Sequence, residues 1–345
     1  MKLNHIYKSI ACGVLLAMTA TSCDLDYNPV DTYSDVTEGV NKTDEKPIFN
    51  SVQDVETSMV TLHKKFRDQQ EHWYVDKLLI GDAHSDNAYA GTTGAEVVPY
   101  ETNSIEGSNS VLKRDWDRFL GDIAVANRII VGCDQLKALS ESERGKYQSQ
   151  AKIFRAMVMF DMVRLWGNFP VITTVGGDIT EDNVEEMYPT YFPPQNTAEE
   201  AYAQIEKDLT EAVENPNTPT NDTSDKSILT KSVARAMLAK VYAEKPLRDY
   251  AKVIKYADEL AADGFDLVED FSDLWAYDTE KKDCRVRNTK EAILEAHFPP
   301  GSGNWCTWMF GRNLSNWDES FTWAKWIAPS RDLIRLYEEQ GDTKR

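Results

Sequence analysis

Residues 153–166 constrain this chain more than any others. They are apolar almost all round a helix, interrupted only by Arg155, Asp161 and Arg164. A helix apolar on every side has to lie inside its domain, with other elements packed around it. The fold is therefore expected to be built about a helix of roughly 142–166, which Gly167 ends and Pro170 keeps from continuing. Asp161 and Arg164 stand i,i+3 and can pair with each other rather than serve catalysis.

The periodicity on either side supplies what surrounds it. Val52, Val55, Met59, Leu62 and Phe66 recur every three or four residues, one face of a helix begun near Ser51. Residues 81–109 are rich in Gly, Ser, Thr and Asn and read as a long loop. A helix of about 110–131, with Trp116, Phe119, Ile123, Ala126 and Ile130 on one side, forms a hairpin with the central one. Trp116 and Trp166 read as core. Thr197 and Glu200 make a capping box before a helix that buries Tyr202, Ile205, Leu209 and Ala212. The next helix, about 230–243, carries a bulky stripe (Val233, Met237, Val241) and a small one (Ala236, Ala239, Ala243). Its antiparallel partner is defined by Tyr250, Val253, Ile254, Ala257 and Leu260 and stopped by Gly264. Helix pairs with short links and mixed small and large stripes stack as hairpin arrays, although no strict 34-residue repeat is legible. Beyond Phe271 the texture becomes irregular, with a strand-like piece at 292–298. The last periodic segment, Leu333, Ile334, Leu336 and Tyr337, finds no later partner for its apolar face.

The N-terminus reads as an export signal. Lys2 and Lys8 precede an apolar run at 10–20, too short to span a bilayer, and Ala20, Thr21 and Ser22 lead directly into Cys23. A cysteine immediately after the small residues marks cleavage before Cys23 and lipidation of its thiol, which holds the chain on a membrane surface. Residues 24 to about 47 read as a polar tether. The formal charge is −19, and loss of residues 1–22 removes two lysines and no acid. Such a surface argues against nucleic acid, which needs a basic footprint. Of the remaining cysteines, Cys133, Cys284 and Cys306 have no metal spacing. Buried free thiols are expected, with a Cys284–Cys306 disulfide as the alternative. No metal site and no cofactor motif is legible. The five histidines are scattered, and no HExxH, GxSxG or P-loop occurs.

In order along the chain, a set of short segments resembles the SusD/RagB family of outer-membrane nutrient-uptake lipoproteins of the Bacteroidetes. These are Cys23-Asp-Leu-Asp-Tyr-Asn-Pro29, Ser85-Asp-Asn-Ala-Tyr89 and Ala126-Asn127-Arg128. Arg155-Ala156, Phe160-Asp161, Arg164-Leu-Trp-Gly167 and Pro170 reproduce the spacing of the family's most typical stretch. Ile205-Glu-Lys-Asp-Leu209, Leu229-Thr-Lys231 with Ala239-Lys-Val-Tyr242, Glu291-Ala-Ile-Leu-Glu295, and Gly341-Asp342 with Arg345 follow. Each piece is weak alone; the ordered set is specific.

The resemblance implies a mainly α fold: a tetratricopeptide-like helical hairpin array with an irregular, loop-rich subdomain. The expected organisation is a signal peptide at 1–22, lipidated N-terminus and tether at 23–47, helical domain at 48–270, and the start of an incomplete subdomain at 271–345. Family members continue past the Gly-Asp-x-x-Arg landmark, so the chain is expected to be truncated there. The resemblance also implies a non-catalytic, surface-exposed outer-membrane lipoprotein. It would bind oligosaccharides and deliver them to a SusC-like TonB-dependent transporter. A second reading keeps the complex but makes the cargo peptides or another nutrient. A third, a surface glycosidase, lacks any legible catalytic constellation.

Five of nine tryptophans, Trp305, Trp308, Trp317, Trp323 and Trp326, fall in a Gly- and Asn-rich stretch. Sugar rings stack on flat aromatics while Asn, Asp and Arg bond their hydroxyls. The plainer reading makes these tryptophans core, most clearly Trp323 and Trp326. In the family, ligand contacts come from loops that correspond here to about 82–104 and 301–318. The candidate ligand residues are therefore Asp86, Asn87, Tyr89, Tyr100, Trp305, Trp308, Asn313 and Trp317.

Overall fold

The computed structural model describes residues 47–90, 96–177, 179, 181, 183–244, 246–299 and 327–342. The lipidation site, the tether up to Lys46 and the tryptophan-rich stretch lie outside these residues. Helix α1 (Val52–Asp68) begins at Ser51, whose side chain and Asp54 form a capping box. A π-helical turn (Glu71–Val75) leads into α2 (Asp76–Gly81), two elements the sequence patterns did not announce. Then follow β1 (Ala88–Ala90) and the single turn α3 (Val98–Glu101), so the expected long loop contains ordered pieces. The hairpin is α4 (Ser110–Gln135) and α5 (Glu141–Trp166), the latter opened by the Ser140–Glu143 capping box. Beyond it come α6 (Val184–Tyr191), α7 (Ala198–Glu214), α8 (Lys231–Ala243) and α9 (Tyr250–Ala262). A 3-10 turn (Phe271–Leu274), short strands β2 (Tyr277–Asp278) and β3 (Asp283–Cys284), then β4 (Ile327–Pro329) and α10 (Arg331–Glu339), complete the described elements.

The architecture is mainly α, as expected. Helix α5 is the hub: α1 and α4 pack on it from one side and α7 from another, with α8 on α7 and α9 on α8. Its Ile153, Phe154, Met159 and Met162 are fully buried, which is what its all-round apolar sequence requires. Gly167 takes φ +73°, the left-handed conformation that ends the helix. At Gly132 of α4 a Cβ would run into the Phe49 ring, so glycine there permits close approach of the segment before α1. Trp116 and Trp166 meet edge to face at 5.3 Å, half-buried against this core.

The most typical motif residues turn out to be internal ties. Arg155 donates to both carboxylate oxygens of Asp208, at 2.8 and 2.7 Å, and to Asn127 Oδ1 at 2.7 Å. Asn127 Nδ2 in turn donates to the carbonyls of Ile172 (2.9 Å) and Thr174 (3.2 Å). All three side chains are buried. One network thus joins α4, α5, α7 and the irregular chain after α5.

Four expectations need correction. Asp161 pairs with Lys77 and Arg164 with Glu244 (3.0 Å), not with each other. Partners on neighbouring elements outcompete a solvent-exposed i,i+3 pair. Helix α9 turns Val253, Tyr256 and Leu260 inward, with Tyr256 stacked on Tyr242 of α8, and leaves Tyr250 and Ile254 exposed. Residues 292–298 form no strand: Glu295 N–H donates to the Lys226 carbonyl and its carboxylate accepts from Asn288 N–H. Cys133 is a buried free thiol, pushed up to about 12 by burial, whereas Cys284 is exposed; Cys306 lies outside the described residues. Helix α10 buries no side chain, and Ile334 and Leu336 are exposed.

Candidate functional site

The sequence placed ligand-binding residues in two loops far apart in the chain. The structure joins their flanks. Strand β1 pairs antiparallel with β4: Ala88 faces Pro329, Tyr89 faces Ala328 and Ala90 faces Ile327. Ser330 N–H extends the pairing to the Asn87 carbonyl at 2.8 Å, and Arg331 N–H reaches the Tyr89 hydroxyl at 3.4 Å. The period of two along a strand turns Ala88 inward and Tyr89 outward, and Tyr89 is 40% exposed.

The turn before β1 is held by its own side chains. Ser85 Oγ donates to the Asp82 carbonyl (2.8 Å) and accepts from Asn87 N–H (3.2 Å), a hydroxyl standing in for a backbone turn bond. Asp86 and Asn87 are thereby presented to solvent beside Tyr89. On the other edge Ala90 N–H donates to Glu101 Oε2 at 2.8 Å, and His84 Nε2 lies 2.6 Å from Asn103 Oδ1. A carboxylate, an amide and a phenol grouped on one exposed edge suit a ligand rich in hydroxyls.

Beneath this edge lies a small core of Val75, Leu79, Ala83, Ala88, Val97, Tyr100, Val111 and Ile327. Tyr100 is wholly buried in it, so it does not join the exposed candidates. Its hydroxyl donates to Asn109 Oδ1 (3.4 Å), the oxygen that caps α4 by accepting from Val111 and Leu112 N–H. Burial, and next the Asp115 charge, push the Tyr100 phenol above its ordinary range. Asp76 and Asp115 lie close by, with Arg114 bonded to Asp76 and 3.7 Å from Asp115. Burial and then the Asp76 carboxylate push the Asp115 carboxyl up to about 9, so the hydrogen-bonded pair holds one proton between its two members at neutral pH. Counted as two carboxylates, the pair would leave Asp76 Oδ1 and Asp115 Oδ1 without donors among the described residues. The shared proton resolves this.

Of the expected ligand residues, Asp86, Asn87 and Tyr89 come together and Tyr100 supports them from below. Trp305, Trp308, Asn313 and Trp317, like Cys23, lie outside the described residues. Sequence reasoning missed Glu101, Arg331 and β4 itself; a three-residue strand ending in proline leaves no periodic signal. Among the described residues, no group of His, Cys, Asp and Glu could hold a metal ion, and no helix is long and apolar enough to cross a membrane.

Comparison with known proteins assigns the fold a family. Residues 32–243, more than half of the chain, match the SusD-like family model described as starch-binding associating with outer membrane. A SusD-like protein of Bacteroides ovatus is 25% identical over 309 residues, covering 86% of this chain and 50% of that one. A SusD superfamily protein from Bacteroides vulgatus superposes with a TM-score of 0.63 at 15% identity, over 84% of this chain and 58% of that one. The surface glycan-binding protein A of Bacteroides thetaiotaomicron, solved with laminarihexaose, gives a TM-score of 0.62 at 14% identity, over 83% of this chain and 61% of that one. The chain spans about half the length of the curated relative it matches. On this match, and on the ordered motifs that the buried Arg155 network explains, the chain belongs to the SusD/RagB family.

Proposed function

We propose that this chain is a non-catalytic, glycan-binding lipoprotein of the outer membrane, anchored through Cys23 and facing the cell exterior. It captures oligosaccharides and passes them to a SusC-like TonB-dependent transporter. The observation that carries this reading is the pairing of β1 with β4. It ties the loop bearing Asp86, Asn87 and Tyr89 to the chain that follows Trp305, Trp308, Asn313 and Trp317. A sugar ring requires an apolar face to stack on and a few placed polar groups, and Tyr89 beside Asp86 and Asn87 offers both on this edge. The related protein solved with laminarihexaose lends the ligand class, and the family description lends the membrane.

Affinity electrophoresis of residues 24–345 in gels containing laminarin, starch or other glycans tests the reading. Retardation by at least one glycan, without release of reducing ends and reduced in Trp305→Ala or Trp308→Ala, is expected. Retention by peptides and by no glycan would move the cargo to the second class. Hydrolysis abolished by a single Asp or Glu substitution would replace binding with catalysis.

A further inference from the structure

With 57 acids against 38 lysines and arginines, guanidinium groups in this chain readily find a carboxylate. Arg155 takes Asp208, Arg164 takes Glu244 and Arg287 takes Asp283. Arg335, one turn into α10, takes Asp332 at 2.7 Å and Glu339 at 3.6 Å. Arg331 does not. It is exposed, and among the described residues its guanidinium has no ion pair, hydrogen bond or ring contact. The acid next to it in sequence, Asp332, is the one that Arg335 holds.

The backbone fixes where this open cation stands. Arg331 N–H reaches the Tyr89 hydroxyl at 3.4 Å, and the preceding Ser330 N–H bonds to the Asn87 carbonyl at 2.8 Å. Arg331 therefore begins α10 at the tip of the Tyr89 side chain, and its own side chain is too short to carry the charge far from that ring. Asp86, in the turn before β1, is exposed and also forms no ion pair among the described residues. An acid and a base thus stand at one end of the strand pair without neutralising each other. Neutral hydroxyls could use the N–H groups of Arg331 but would leave its charge unmatched. A carboxylate or sulfate uses both, through two parallel charge-assisted bonds about twice as strong as neutral ones. Asp86 and Asn87 are left to serve hydroxyls, and Tyr89 the ring face. The surface at large gives an anion no help, since the formal charge of the chain is −19 and repels it.

Resting on the reading of this edge as a glycan site, we propose that it takes an anionic saccharide, whose uronic acid carboxylate or sulfate ester pairs with Arg331 while a ring stacks on Tyr89. Affinity electrophoresis of the intact chain tests this with glycans matched except for charge. One arm sets polygalacturonate against its carboxyl-reduced form, and the other sets dextran sulfate against dextran. In at least one arm the charged member should be bound about tenfold more tightly than its neutral counterpart, the value of a charge-assisted pair. The arm that responds names the anion. In Arg331→Gln that preference should fall at least about tenfold, with an unmoved urea midpoint because the residue is exposed. Arg331→Lys, which keeps the charge and loses the fork, should recover part of it. Tyr89→Ala should weaken the charged and neutral members alike. Retention by neutral glycans alone, or an equal loss on both members in Arg331→Gln, overturns the proposal and leaves the edge a glycan site. Retention by none of these glycans nor by laminarin or starch overturns both.

Discussion

Two buried ion networks in this molecule are built differently. Around Arg155 every polar atom is matched: a bidentate guanidinium–carboxylate pair, an amide that bonds both ways, and carbonyls from the chain after α5. Around Arg114 the two carboxyl groups are matched only through the proton they share, Arg114 Nε has no hydrogen-bond acceptor among the described residues, and Arg114 is itself a third exposed. The first network lies in the large core, where four elements meet. The second underlies the edge that presents Asp86, Asn87 and Tyr89. Full satisfaction fixes one geometry, whereas a pair dependent on one proton can be altered by solvent conditions. The scaffold and the candidate site therefore differ in how firmly they are tied.

Removing one partner of the closed network should have the largest effect. Arg155→Leu leaves Asp208 buried and uncompensated, and should lower the unfolding free energy by about 3–5 kcal/mol, read as the shift of a urea midpoint. Pairing it with Asp208→Leu should recover much of that loss, because a buried ion pair is worth little more than apolar side chains of similar volume. Overfilling the same core is the next largest: Gly132→Ala forces the Phe49 ring to move and should cost about 1–3 kcal/mol.

The smallest effect concerns the Arg114 network, and its sign depends on pH. The Asp115 pKa in the folded chain, about 9, lies above its ordinary value of 3.8. The folded state therefore holds the extra proton between those limits, and stability falls as pH rises across that window. Asp115→Asn cannot lose a proton. Its melting temperature should overtake the wild type towards pH 9, with the difference shrinking near pH 5; a gap independent of pH would remove the shared proton from the account.

The helices were legible because their signals are local. Ser51, Thr197, Gly167 and the stripe Val233, Met237 and Val241 each announce a boundary or a face within a turn or two. The apolar girth of α5 announced its central place. What was not legible depends on partners distant in sequence. Arg155 read as an interruption until Asp208 met it from α7. Asp161 and Arg164 read as partners because each one's real partner is on another element. The candidate site was half visible: the polar turn at 85–89 stood out, but it pairs with the distant β4, and the Tyr89 hydroxyl accepts from Arg331, 242 positions away. Tyr100 shares the loop's composition, and only packing shows that it belongs to the core.

Sugar binding at the β1–β4 edge depends most directly on Tyr89, the most exposed aromatic group among the described residues there. Isothermal titration of residues 24–345 with a soluble oligosaccharide of whichever glycan retains the protein tests it, wild type against Tyr89→Ala. The account predicts an affinity at least about tenfold weaker in the variant, a loss of roughly 1.4 kcal/mol, with an unchanged urea midpoint. Equal affinity in the two proteins would contradict it.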